Sequence, residues 1–148
     1  MTLEELRQLI REHLEEYNKT EEEKANDRMV KNLQVILSQL EGGEEKLREL
    51  IRSTAKIVTN ENGKKIGRTC KKLEERLENY QLAGDNYSDL KLVIDDITSI
   101  ELAEALEGFL IDLFVFNSKV TLHNSDGRDK GRKECDDSDK HRIYIAVE

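Results

Sequence analysis

The feature of this sequence that most constrains its fold is a change in the spacing of apolar residues near residue 52. Before this point apolar residues recur every three or four positions, as on one face of an amphipathic helix. After it, short apolar runs alternate with turn residues and further helical segments. The order predicts an α+β fold, with a small antiparallel sheet of three to four strands flanked by helices. We divide the chain into a helical extension, residues 1–52, and a mixed domain, residues 53–148.

Several helix boundaries are marked by short sequence signals. Thr2–Glu5, Thr20–Glu23 and Thr98–Glu101 have the spacing of a capping box, in which a threonine caps the helix that follows. Gly42 and Gly43 predict the end of the second helix, and a short third helix follows them. The helix predicted after Thr98 has the most apolar sequence in the chain.

The strands are predicted from short apolar runs beside turn residues. Ala55–Thr59 and Lys64–Arg68 flank Asn60–Gly63, whose Asn-Gly pair favours a hairpin between them. Thr69 is then predicted to cap a helix. Two more strands are predicted at Leu90–Ile97 and Arg142–Val147, and a polar loop is predicted over residues 123–140.

Composition narrows the classes of protein that the chain can belong to. No apolar run approaches the roughly 20 residues that a bilayer span requires. The acidic, amphipathic start is unlike a signal peptide, and two cysteines are too few for a disulfide scaffold. We therefore expect an intracellular protein, in the cytoplasm or nucleus, with no membrane partner.

Charge is distributed unevenly along the chain. The formal net charge is −8, yet residues 52–76 carry eight basic and three acidic residues, a local net charge of +5. A basic segment on an acidic protein is what a localised phosphate site requires. The alternative is a solvated basic surface that complements the acidic helices.

Arg76 and Glu107 are the two charged residues whose positions call for an explanation. Arg76 lies beside the apolar stripe of its predicted helix, and Glu107 has apolar neighbours at helical spacing. A carboxylate there is costly unless it is paired or binds a cation. The two residues either pair with each other or together bind a phosphodiester and a divalent metal. Glu104 and Asp112, on the same helix as Glu107, are predicted to be solvated.

Other chemical motifs are weak or absent. The spacing of Cys70, His123, Cys135 and His141 matches no tetrahedral zinc pattern. The acidic residues of the predicted loop lack the spacing of a calcium-binding loop and indicate a charged, flexible segment; they are Asp126, Asp129, Asp136, Asp137 and Asp139.

Three segments carry a resemblance to a known family. The segments are Gly63–Thr69 (GKKIGRT), Leu73–Leu77 (LEERL) and Ala105–Glu107 (ALE). In this order and spacing they resemble the GIY-YIG endonuclease superfamily, in the branch whose second signature reads Lys-Ile-Gly. The likeness covers roughly residues 53–148. The first signature is missing its tyrosine, because Ser53–Ile57 stands in its place.

The resemblance implies a site that hydrolyses DNA phosphodiester bonds with Mg²⁺ or Mn²⁺. It implies that Arg76 is the catalytic arginine and Glu107 the metal ligand. Asn124 would support the site, and Lys65 would occupy the position of the second-signature tyrosine and position the nucleophile. The basic turn that precedes Arg76 is predicted to bind phosphate through Lys64, Gly67, Arg68, Lys71 and Lys72.

Two other functional interpretations remain open. The missing tyrosine and the negative net charge of the chain favour a catalytically impaired DNA- or protein-binding module with a helical interaction arm. The N-terminal helices are also predicted to form a homodimer, since one metal site cuts only one strand. If residues 53–148 only mimic the family pattern, the chain is an all-helical interaction protein.

Overall fold

The computed structural model describes residues 1–17, 20–118, 120–124, 127, 135 and 139–148, and for residues 13–17 it describes the backbone alone. Within these ranges the chain forms five helices and a three-stranded sheet, which confirms the predicted α+β class. The elements are α1 (Leu3–Tyr17), α2 (Glu21–Gln39), α3 (Gly43–Asn60), β1 (Gly63–Thr69), α4 (Leu73–Leu82), β2 (Asp89–Ile97), α5 (Ile100–Phe116) and β3 (His141–Val147).

The last strand in sequence lies at the centre of the sheet. The strand order is β1-β3-β2, and β3 is antiparallel to both neighbours. Ile66 and Gly67 of β1 pair with Ile145 and Tyr144 of β3. Because β3 is covered on both edges and both faces, its sequence is an almost continuous apolar run.

Alternate side chains of β3 point to the two faces of the sheet and build two separate clusters. On one face, which we call the α5 face, Ile143 and Ile145 pack in a large apolar core with α2, α3 and α5. On the other, the α4 face, Tyr144 and Ala146 form a smaller cluster with tyrosines near α4. The sheet therefore separates two environments of different chemistry.

The strand predicted at Ala55–Thr59 is wrong, because helix α3 continues through it to Asn60. The β-branched residues favour a strand locally. In the structure, however, Leu50, Thr54, Ile57 and Val58 recur at helical spacing and are buried against the core. The predicted hairpin turn instead joins a helix to β1.

The capping predictions are confirmed at the first two helices. Thr2 Oγ1 accepts a hydrogen bond from Glu5 N, and Thr20 Oγ1 accepts one from Glu23 N, each at 3.1 Å. At α5 the cap is one residue later than predicted, because Ser99 Oγ accepts from Leu102 N at 3.2 Å.

The predicted cap of α4 is wrong. Its N-cap is Lys72, with no side-chain capping bond, and Thr69 remains in β1. The Thr69 hydroxyl accepts instead from Lys71 N at 3.0 Å and so shapes the turn between β1 and α4.

Helix α2 is tied to α5 by a buried ion pair. Arg28 Nε and Nη2 donate to the two carboxylate oxygens of Asp112 at 3.0 and 2.9 Å. Gly127 N donates to the same carboxylate at 2.8 Å. Asp112 is fully buried, so the prediction that it is solvated is wrong.

The predicted boundary between residues 52 and 53 falls inside α3, and apolar residues of α2 and α3 share the core of the sheet.

Helix α1 leaves large apolar side chains of one face exposed to solvent. Leu3, Leu6 and Ile10 are 65, 42 and 50 % exposed. Among the described residues, no helix combines the length and apolar character needed to cross a bilayer.

Candidate functional site

Arg76 lies on the buried side of α4, against the α4 face of the sheet. Its guanidinium carbon is 4.6 Å from the centroid of the Tyr80 ring, four residues later on the same helix. Its Nε donates to Tyr144 Oη at 3.3 Å, and the residue is only 8 % exposed. Arg76 is therefore held by two tyrosines, through a cation–π contact and a hydrogen bond.

The hydroxyl groups of Tyr80 and Tyr144 lie 2.6 Å apart and share a hydrogen bond. Gly67 makes room for this arrangement, because a Cβ atom there would overlap the Tyr144 ring. Burial raises the pKa of Tyr144 above its ordinary value, and the neighbouring Tyr80 raises it further. Tyr144 is thus a neutral hydrogen-bonding group at physiological pH.

A second polar chain extends this cluster toward solvent. Tyr87 Oη is 2.7 Å from His123 Nδ1, and His123 Nε2 is 3.3 Å from a carboxylate oxygen of Glu148. The Tyr87 ring meets the Tyr80 ring edge-on, with centroids 5.1 Å apart. Burial is the main cause that raises the pKa of Tyr87 to about 12. The chain links buried phenols to a half-exposed imidazole.

Lys65 and Asn124 border this cluster at the edge strand β1. Lys65 Nζ lies 5.1 Å from the centroid of the Tyr80 ring. Asn124 uses both ends of its amide on Ile66: Oδ1 accepts from the backbone N at 2.9 Å, and Nδ2 donates to the backbone O at 3.0 Å. Asn124 thereby satisfies the unpaired edge of β1 and fixes the strand that carries Lys65.

Glu107 lies on α5, in a different environment. It is 27 % exposed at the side chain, and its Oε1 is 3.8 Å from Arg68 Nε. Glu104 Oε1 is 3.9 Å from Arg68 Nη2. Arg68 Nε is buried and has no hydrogen-bond partner among the described residues. Glu107 also borders a cleft of about 330 Å³ between α2 and α5, where Arg28 and Lys31 face the glutamates.

The structure does not bring Arg76 and Glu107 together. In the sheet, Gly67 is opposite Tyr144, which contacts Arg76 on the α4 face. The next residue of β1, Arg68, is opposite Ile143 on the α5 face and approaches Glu107. Because neighbouring residues of a strand point to opposite faces, the expected shared cleft is replaced by two separate sites.

The resemblance implies a metal on Glu107 that acts together with Arg76. Glu107 offers a carboxylate, and Arg68 Nε lies 3.8 Å from it. A cation on Glu107 would lie on the opposite side of the sheet from Arg76. This geometry therefore supports no reaction step in which a metal on Glu107 and the guanidinium of Arg76 act on the same phosphate.

The residues predicted to bind phosphate are also dispersed. Lys71 and Lys72 are exposed in the turn before α4, whereas Lys64 is half-buried in β1. Arg68 turns toward the glutamates of α5, and Gly67 contacts Tyr144.

Cys70 and Cys135 form a disulfide that the spacing of the cysteines did not reveal. A carboxylate oxygen of Asp139 lies within 4.8 Å of both sulfur atoms. Neither His123, which contacts Tyr87, nor the buried His141 belongs to this group. Asp126, Asp129, Asp136 and Asp137 lie outside the described residues.

Sequence reasoning missed Tyr144, Tyr87, His123 and Glu148. The one available signal was a tyrosine within the apolar run of the closing strand. The partner of that strand is set by long-range register, which local patterns do not encode. No family model matches the chain, and no match is found among curated proteins or solved structures.

Proposed function

We propose that the protein is a non-hydrolytic binding module that associates through α1. The observation that carries this proposal is the exposed apolar face formed by Leu3, Leu6 and Ile10. These residues recur at the spacing of one helix face, yet each remains at least two-fifths exposed. Exposed apolar faces of this kind on soluble proteins commonly mark interaction sites.

A second copy of the chain is the partner that α1 suits best. The helix carries acidic Glu4 and Glu5 near its start and basic Arg7 and Arg11 further along. In an antiparallel pair that crosses between Arg7 and Gln8, Glu4 of each copy lies opposite Arg11 of the other. Two-fold symmetry repeats this charge match, and Leu6 and Ile10 pack between the matched charges.

Sedimentation equilibrium over a range of concentrations tests this association. We expect a reversible dimer, and we expect Leu6→Glu to weaken it by about a hundredfold or more, because the lost leucine and the added charge occur twice in the interface. Leu82→Glu is the matched control, since Leu82 is 79 % exposed at the end of α4. A monomeric wild-type protein would refute dimerisation, and equal effects of the two variants would exclude α1 as the interface.

A second candidate function, hydrolysis of DNA phosphodiester bonds, is favoured by one observation. Tyr144 lies opposite Gly67 of the Lys-Ile-Gly signature and contacts Arg76. It thus offers, from β3, the tyrosine that Ser53–Ile57 does not contain. In this proposal Arg76 neutralises charge on the phosphate, while Tyr144 and Lys65 orient the attacking water.

Nicking of supercoiled plasmid in Mg²⁺ or Mn²⁺ separates the two functions. The binding-module proposal expects no nicking by the wild-type protein. Nicking that Arg76→Ala and Tyr144→Phe abolish, and that Glu107→Gln leaves unchanged, would instead support hydrolysis on the α4 face. Nicking that Glu107→Gln also abolishes would restore the metal site implied by the resemblance, despite the separation of the two faces.

A further inference from the structure

Cys70, Cys135 and Asp139 form a compact group at one end of the sheet. The two sulfur atoms and a carboxylate oxygen of Asp139 lie within 4.8 Å of one another. In the structure the sulfur atoms are joined as a disulfide. We propose that reduction of this disulfide converts the group into a binding site for Zn²⁺ or a similar thiophilic divalent cation.

The sheet holds two of the three ligands in place. Thr69, the last residue of β1, pairs with Arg142 near the start of β3. Cys70 therefore directly follows β1, and Asp139 lies two residues before β3 at the same end of the sheet. The Arg142 side chain closes this end by donating from Nη1 to Lys71 O at 2.5 Å. Cys135 and Asp139 both come from the segment between α5 and β3, and Asp139 lies only two residues before β3.

The identity of the ligands selects the class of cation. Two thiolates and a carboxylate suit Zn²⁺, whereas Mg²⁺ and Ca²⁺ prefer oxygen ligands alone. With Zn–S bonds of about 2.3 Å, tetrahedral geometry places two sulfur ligands about 3.8 Å apart. Once the bond between Cys70 and Cys135 opens, small side-chain movements suffice to reach this separation. Water completes the fourth position.

The redox state decides whether the cation can bind. Thiolates are the metal ligands, and a disulfide has none. Two molecules of a small thiol reduce the protein disulfide, each supplying one electron and one proton, and leave as one small-molecule disulfide. The protein then holds two thiols, and binding of the cation releases their two protons. The disulfide and the cation are thus alternative cross-links between the same segment and the sheet.

Titration with Co²⁺ under anaerobic conditions tests the site in the full-length protein. We expect the reduced, desalted protein to bind one Co²⁺ per chain, with sulfur-to-cobalt charge-transfer bands and the d–d bands of tetrahedral Co²⁺. Added Zn²⁺ displaces the cobalt and bleaches these bands. The oxidised protein shows no such bands. Absence of the bands in the reduced protein, or equal bands in the oxidised protein, would overturn the proposal.

Two substitutions identify the carboxylate ligand. Asp139→Asn should weaken Co²⁺ binding by at least about tenfold, because it removes one of three protein ligands and a negative charge. Asp96→Asn is the matched control at the same end of the sheet, where Asp96 pairs with Lys140 at 3.8 Å. Because asparagine also tolerates the left-handed backbone found at Asp96, the control preserves the local fold. Equal affinities in the two variants would exclude Asp139 as a ligand.

Discussion

The two faces of the sheet are covered in very different ways. The α5 face is buried by three helices, and Leu106 and Leu110 at its centre are fully inaccessible. The α4 face is covered by one ten-residue helix and by phenol rings that bond to each other, to Arg76 and to His123. One face therefore provides bulk apolar stability, and the other provides a defined polar network. The comparison shows why two residues grouped by a linear motif, Arg76 and Glu107, belong to different sites.

The largest effect is expected on the α5 face, at the Arg28–Asp112 ion pair. Asp112→Ala should lower the free energy of unfolding by about 3–5 kcal/mol, because it leaves the partly buried Arg28 without its bidentate partner. Urea denaturation measures the change. Asp89→Ala, at an aspartate that is half-exposed and contacts Lys91, is the control. A change below 1 kcal/mol would show that α2 is not held to α5 by this pair.

A smaller effect is expected on the α4 face, at Tyr144. Tyr144→Phe should cost about 1–3 kcal/mol of unfolding free energy, because the Tyr80 hydroxyl and the buried Arg76 each lose a hydrogen-bond partner while the ring remains. Thermal and urea unfolding both measure this loss of unfolding free energy. If Tyr144→Phe destabilises the protein more than Asp112→Ala, the ranking of the two faces is reversed.

Alkaline pH should act on the α4 face selectively. The folded-state pKa of Tyr87 is raised to about 12 from an ordinary value of 10, and that of Tyr144 is raised as well. Between pH 10 and about 12 the unfolded chain loses protons that the native state retains, so stability falls as pH rises through this window. Urea unfolding midpoints at pH 9 to 11.5 measure how steeply stability falls with pH. Tyr87→Phe should make this fall shallower. An unchanged fall would contradict a raised pKa of Tyr87 in the folded protein.

The smallest effect is expected at Glu107. Glu107→Gln should change the unfolding free energy by less than about 1 kcal/mol, because the carboxylate is partly exposed and lies 3.8 Å from Arg68. The measurement is the same urea titration. A loss of several kcal/mol would mean that Glu107 belongs to the α5 core as firmly as Asp112 does.

Much of the fold could be predicted from local patterns, and most of the site could not. Helix starts at Thr2 and Thr20 follow from side-chain bonds within one turn. The error at Ala55–Thr59 arose because its β-branched residues favour a strand, and burial in the core overrides that preference. Contacts such as Arg28–Asp112 and Arg76–Tyr144 join residues 84 and 68 positions apart. No short pattern in the sequence encodes contacts of that range.

The central position of β3 has a consequence for biosynthesis. Among the described strands, β1 and β2 are not neighbours, and each forms its ladder with β3. A nascent chain emerging from the ribosome can form its helices early, but it has no template for either outer strand until residues 141–147 have been translated. Sheet assembly must therefore be a late event that depends on distant pairing, and such pairing is slow. Until then the side chains of α5 that face the sheet lack the central strand that covers them.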